Sequence, residues 1–130
     1  YEILIGLVGS EMCIRDSHGE EAAARLACCE FVNHTLAMLF LLNERHMPFY
    51  KWAFRAAKEL PKLSELIPTL EALLREPDED TIERVSAAVI EELRAQGLTD
   101  GGWDFLEPHA YAVMRRIRNP EIAALHIMEV

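Results

Sequence analysis

From Gly19 to Arg45 no proline interrupts a strongly apolar stretch, and its alanines, leucines and Met38 predict one long helix. Glu30, Asn33, His34 and Thr35 break the run, so it falls short of the ~20 consecutive apolar residues of a membrane span. A helix apolar over most of its circumference is buried among neighbours. This one is therefore predicted to be the central element of a bundle. Pro48 ends or turns the chain, because it lacks an N–H donor and restricts Met47 before it. A second helix over Phe49–Leu60 places Phe49, Trp52, Ala53, Ala56 and Leu60 on one face, the seam with the first helix, and Lys51, Arg55 and Lys58 on another.

Pro61 stops that helix. "KLSELIPTLEALLREP" predicts a third, with Ser64 as N-cap and Pro68 either kinking or restarting it. Asp80, Thr81 and Glu83 open a fourth that runs to Gln96, with Ile82, Val85, Val89, Ile90 and Leu93 at helical spacing and Gly97 at C′. "LTDGGWD" reads as a loop, "FLEPHAYAVMRRIR" as a fifth helix opening near Pro108, and "EIAALHIM" as a short last helix beyond Asn119 and Pro120. No convincing β alternation and no repeat intervene. The pattern predicts an all-α fold: an antiparallel helical bundle of five to six helices with a long central first helix.

Residues 8–17, "VGSEMCIRDS", resemble the translation of a sequencing-library adapter, and the chain opens on Tyr1 instead of Met. Residues 1–17 are accordingly read as a non-native segment and residues 18–130 as one helical-bundle domain, the C-terminal part of a longer protein. The run "ILIGLV" lacks a basic leader and is too short for a signal peptide or membrane span. A chain of 130 residues, 51% hydrophobic and 27% charged, suits a single soluble domain. Three cysteines, two of them adjacent at Cys28 and Cys29, supply no disulfide framework, and the expected location is the cytoplasm.

The net charge of −9 is unevenly placed. Residues 63–107 carry twelve acids against three bases, whereas residues 43–62 carry Arg45, Lys51, Arg55, Lys58 and Lys62 against Glu44 and Glu59. This distribution argues against a nucleic-acid surface and against a membrane partner, but it leaves room for a local anion site.

Most catalytic patterns are missing. Glu30 and His34 stand four apart, whereas carboxylate-bridged bundle metal sites use Glu and His three apart, twice. There is no HExxH and no paired cysteine spacing. Arg25 to His34 and Arg118 to His126 are too far apart for a helical ribonuclease that sets an arginine four to six residues before a histidine. Cys28 and Cys29 lie mid-helix without an activating cation in sequence. A nucleotidyltransferase centre needs a Gly-Ser turn and paired aspartates for its metal ions. "GSEMCIRDS" imitates the turn from inside the excluded segment. "DED" at 78–80 imitates the aspartates at a helix start, where acids complement the dipole and cap N–H groups. Arg115, Arg116 and Arg118 form a second basic group that helix-dipole complementation explains, and Glu107, His109 and Tyr111 form a weaker polar cluster.

"FLLNERHMPFYKWAFR" resembles an uncharacterised bacterial helical domain of unknown function found C-terminal to a nucleotidyltransferase domain. That family's pattern is a long helix ending in Leu-Asn, a short polar and aromatic turn, a proline and then Lys-Trp. Here those are Leu42, Asn43, Pro48, Lys51 and Trp52. "DFLEPHAYAV" at 104–113 is similar to its closer members, and the resemblance spans residues 19–130. His46 departs from the pattern, standing where many relatives carry an aromatic.

The resemblance implies an accessory, non-catalytic domain that packs beside an upstream nucleotidyltransferase domain in cis and helps bind its nucleotide or small-molecule acceptor. No cofactor is implied in residues 18–130 themselves; Mg and a nucleoside triphosphate would belong to the missing catalytic domain. Lys51 and Arg55, one helical turn apart, suit a phosphate, Arg as bidentate donor and Lys as point charge. Asn43, Tyr50 and His46 complete the candidate substrate- or nucleotide-binding set. The alternative expectation is a structural bundle that mediates homo-oligomerisation or partner docking.

Overall fold

A computed structural model describes residues 3, 6–9, 19–100, 102 and 106–115, with Leu106 and Met114 described by their backbone only. Among them the chain is helical and has no strand. Helix α1 spans Glu21–Leu42, α2 Tyr50–Ala57, α3 Ile67–Arg75, α4 Glu79–Ala95 and α5 Leu106–Met114, and a 3-10 turn at Ser64–Leu66 leads into α3. The expected last helix, with Asn119, Pro120 and His126, lies outside the described residues, as do Arg116 and Arg118.

The all-α expectation holds, and α1 is the long first helix. Phe31, Val32, Leu36, Met38, Leu39, Phe40 and Leu42 are buried around its axis, and α3 and α2 are its main neighbours. By length and composition α1 reaches the range of a bilayer-crossing helix, contrary to the reading that its polar residues break the run too early. More than half of that window is buried inside the bundle, which is the ordinary reason for a core helix to be apolar all round.

Hydrogen bonds fix the directions of the helices. The Cys28 thiol donates to the Leu73 carbonyl at 3.5 Å and the Arg25 guanidinium to the Arg75 carbonyl at 3.4 Å, so the start of α1 lies beside the end of α3. At the other end Asn43 bonds Lys62, just ahead of α3. The two helices are therefore antiparallel. The Gln96 amide donates to the Leu42 carbonyl at 2.8 Å, which sets the end of α4 beside the end of α1 and makes α4 antiparallel to α3.

Helix ends follow local chemistry in two places and depart from expectation in one. Gly97, at φ +72°, stands at C′ of α4 as predicted. Its N–H reaches the Arg94 carbonyl and that of Leu98 the Leu93 carbonyl, a Schellman closure. Pro68 sits in the first turn of α3, where its missing N–H costs nothing, so it restarts the helix and does not kink it. Ser64 makes no side-chain cap: it opens the 3-10 turn after Leu63, whose φ of +64° breaks the chain direction instead.

The segment before residue 18 also contributes to the core. Residues 6–9 are helical, Leu7 and Val8 are fully or almost fully buried in the cluster with Phe31 and Val32, and a Cβ on Gly6 would come within 2.8 Å of the His34 ring. A helix as apolar as α1 takes whatever apolar cover the chain offers, and Gly6 permits the close approach.

Candidate functional site

The basic stretch 43–62 leaves α1, forms α2 and returns to α3. Pro48 and Phe49 precede α2, and Ala53, Ala57 and then Leu60 form its buried stripe, with Ala56 and Phe54 half-buried beside it. This corrects the expected seam. Phe49 is 67% exposed and Trp52 48% exposed, so neither forms the core contact that their spacing suggested. The reason is steric: interaxial distance depends on the side chains at the contact, and small alanines let a short helix lie close against a crowded one. The large rings then fall to its flanks.

Tyr50 is 72% exposed and its ring sits 4.5 Å from that of Phe49, tilted by 50°. Lys51 Nζ and Arg55 Cζ each lie 5.3 Å from the centroid of the Trp52 ring. Two cations thus gather on one half-exposed indole, whose quadrupole attracts positive charge. Lys58 pairs with Glu71 at 3.3 Å and Lys62 with Glu92 at 3.4 Å. Those pairs tie α2 and the following strap to α3 and α4. Neither Lys51 nor Arg55 takes part in an ion pair among the described residues, so within residues 43–62 the cations left facing solvent are the two over Trp52, with Arg45 nearby in sequence.

The other predicted residues divide. His46 is exposed on the turn before Pro48. Asn43 is turned inward to the backbone: its Nδ2 donates to the Leu39 carbonyl at 2.7 Å and the Lys62 carbonyl at 3.0 Å, and its Oδ1 accepts from the Lys62 N–H at 2.9 Å. Both amide hydrogens and one oxygen lone pair are thereby used. Phe49 and Trp52 were not expected at the surface; the signal for it was Ala57, which with Ala53 and Leu60 of the predicted face makes a stripe rotated away from the rings.

The remaining polar clusters are structural. Among the described residues no group of three His, Cys, Asp or Glu side chains could hold a metal ion. Burial raises the Cys28 thiol pKa, the neighbouring Cys29 raises it further, and Arg25 offsets this only in part, so the thiol stays protonated. His109 is completely buried and shares a 2.7 Å hydrogen bond between its Nδ1 and Thr99 Oγ1, which docks the loop after α4 onto α5. An open groove of about 550 Å³ lies between the end of α3 and the start of α4, lined by Ala72, Leu73, Arg75, Glu76, Pro77, Asp78 and Thr81.

It shares no residue with the α2 face, and of its two acids, Glu76 and Asp78, the second serves the helix. Asp78 holds the N-cap position of α4 and accepts from the Thr81 hydroxyl, which itself accepts from Arg84 at 3.0 Å. The Asp80 and Thr81 N–H groups lie close enough to favour its charge, although they fall short of strict cap geometry. The acidic run at 78–80 thus acts as a helix start.

Residues 12–53 of the chain match a family model described as "Domain of unknown function (DUF4037)". The match takes in all of α1 and the turn with Asn43, His46 and Pro48, and ends at Ala53 in the middle of α2. No curated protein and no solved structure matches the chain.

Proposed function

We propose that this chain is an accessory helical domain, non-catalytic by itself, of a nucleotidyltransferase-like protein. In this reading the outer face of α2 binds the phosphates of the nucleotide or of the acceptor. The observation that carries it is the convergence of Lys51 and Arg55 on the exposed Trp52 ring, on an otherwise acidic chain. A guanidinium and an ammonium one turn apart give a phosphate both a planar fork and a point charge, and Tyr50 and Phe49 set open ring faces beside them. The metal ion and the transfer chemistry belong to the upstream domain.

Trp52 is its own reporter. In a Trp103→Phe background, titration with ATP is expected to change Trp52 emission saturably, and Lys51→Ala/Arg55→Ala to weaken the affinity about tenfold or more, given ~1.5 kcal/mol or more for a hydrogen bond to a charged group. Unchanged affinity in a folded double variant removes the reading. So does a complete upstream reading frame without a Gly-Ser turn followed by paired aspartates.

A second reading rests on the exposure of Phe49, Tyr50 and Trp52 together, since aromatics and arginine are the usual anchors of protein interfaces. There α2 docks a partner surface, and Phe49→Ala/Tyr50→Ala would abolish association, measured by sedimentation, while ATP has no effect.

A further inference from the structure

The stretch that carries the α2 face leaves and rejoins the bundle at one point. Asn43 ends α1, and nineteen residues later Lys62 precedes α3; the Asn43 carboxamide bonds both the N–H and the carbonyl of Lys62. A side chain here closes the base of an excursion in the way a backbone pair closes a hairpin. The residues that directly follow the two partners of the closure, Glu44 at φ +56° and Leu63 at φ +64°, are the two non-glycine residues with positive φ among those described. Such backbone persists only where surrounding contacts over-determine it.

The far side of the closure is anchored as well. Lys62 pairs through its ammonium with Glu92, whose other contact is the Gln96 amide at 2.8 Å, and that amide also reaches the Leu42 carbonyl. The ends of α1 and α4 and the approach to α3 thus meet in one polar knot at the foot of the excursion.

We propose that Asn43 is the positioning residue of the α2 face: its carboxamide latches the excursion 44–61 shut at its base and so fixes how Lys51, Arg55 and Trp52 are presented. Asn43 touches no ligand in this scheme. The functional half of the proposal rests on the anion-binding reading above; the latch itself does not.

Asn43→Asp tests it, because the replacement is nearly isosteric yet sets a carboxylate oxygen against the Leu39 and Lys62 carbonyls that Nδ2 now serves. The whole chain is followed by amide hydrogen exchange and by ATP titration, with Lys51→Ala/Arg55→Ala as the comparison. The latch predicts that Asn43→Asp speeds exchange of the amides at 44–61 about tenfold or more, whereas a cavity made in α4 by Val85→Ala speeds the slowest amides of α3 and α4 and leaves 44–61 unaltered. ATP binding weakens in parallel in Asn43→Asp. The double variant weakens ATP binding with exchange unaltered. Unchanged exchange at 44–61 in Asn43→Asp, or an equal rise there in Val85→Ala, overturns the latch.

A wild-type chain that ignores ATP overturns the anion-binding reading and the functional half with it, while the exchange result still decides the latch. Should Asn43→Asp fail to fold, Asn43→Ala, which sets no charge against the carbonyls, gives the same comparison.

Discussion

Helices α1 and α4 end in the same hydrogen-bond pattern on different residues. At the end of α4, Gly97 donates to the Arg94 carbonyl and Leu98 to the Leu93 carbonyl, both at 2.9 Å. At the end of α1, Glu44 donates to Leu41 at 2.9 Å and Arg45 to Phe40 at 3.0 Å. Each closure requires one left-handed residue at C′. Gly97 takes that conformation without a Cβ penalty, whereas Glu44 carries one of roughly 1–2 kcal/mol. The difference lies in what holds the turn. Gln96 before Gly97 also reaches across, to Leu42, but there the glycine takes the turn without strain; beside Glu44 the strained turn is held by Asn43, whose partner Lys62 is nineteen residues away. The end that feeds the candidate site is thus the one whose turn depends on tertiary contact.

Breaking the tertiary end should have the largest effect. Asn43→Asp removes hydrogen bonds worth about 0.5–1.5 kcal/mol each and leaves two carbonyls facing an acceptor, so a loss of about 2–3 kcal/mol in urea unfolding is expected. A loss below about 0.5 kcal/mol would show that the α1 end, like the α4 end, needs no partner. Gly97→Ala comes next. No atom lies within 4 Å of where its Cβ would be, so the cost is backbone strain alone, about 1 kcal/mol.

The contrast also marks how far the sequence could be read. Gly97, Pro68 and the acids at 78–80 act through near neighbours, and their roles follow from residue type and position. The long apolar run and the 3.6-residue spacing of Ile82, Val85, Val89 and Leu93 likewise predict buried faces that the fold confirms. What did not follow were choices made by packing. Trp52 and Phe49 looked inward because periodicity weighs hydrophobicity and not volume, and Ala53 and Ala57 won the contact with α1 by being small. Asn43 looked like a ligand contact; its bond to Leu39 lies within its own helix end, but no local pattern points to Lys62. Leu7 and Val8 sat in a segment set aside for its origin, yet burial depends only on apolar surface. For the candidate site, Lys51 and Arg55 at one turn's spacing were legible as a cation pair, and their shared Trp52 was not.

Glu44→Gly sharpens the same contrast from the opposite side. It gives the α1 end the residue that the α4 end already has, relieving the left-handed strain at the cost of a more flexible unfolded chain. A gain of about 0.5 kcal/mol is expected, seen as a small rise in the urea midpoint with unchanged slope. A loss there would mean that the Glu44 side chain, exposed in this structure, does more than occupy the turn.

Asp78, at the opposite end of α4, tests whether local closures respond only to local chemistry. Its carboxyl is held below the ordinary value of 3.8 chiefly by the Thr81 hydroxyl. Desolvation is the next largest effect and opposes it, and the Thr81 and Asp80 N–H groups and the Arg84 charge lower it again. A folded-state pKa lowered in this way means that around pH 3.8 the unfolded chain binds more protons at this site than the folded one. The stability it contributes is complete above the unfolded value and fades as pH falls through the lowered one. Asn at this position still accepts from the hydroxyl but cannot titrate. The stability difference between wild type and Asp78→Asn should therefore stay constant from neutrality down to about pH 5 and narrow below it. Urea midpoints of both proteins between pH 7 and pH 2 measure this, and a difference that stays flat through that acid range would show that the charge of Asp78 contributes nothing to the start of α4. Because the site is exposed, the effect is the smallest of the four, and its confinement to acid pH separates it from the pH-independent cost of Gly97→Ala.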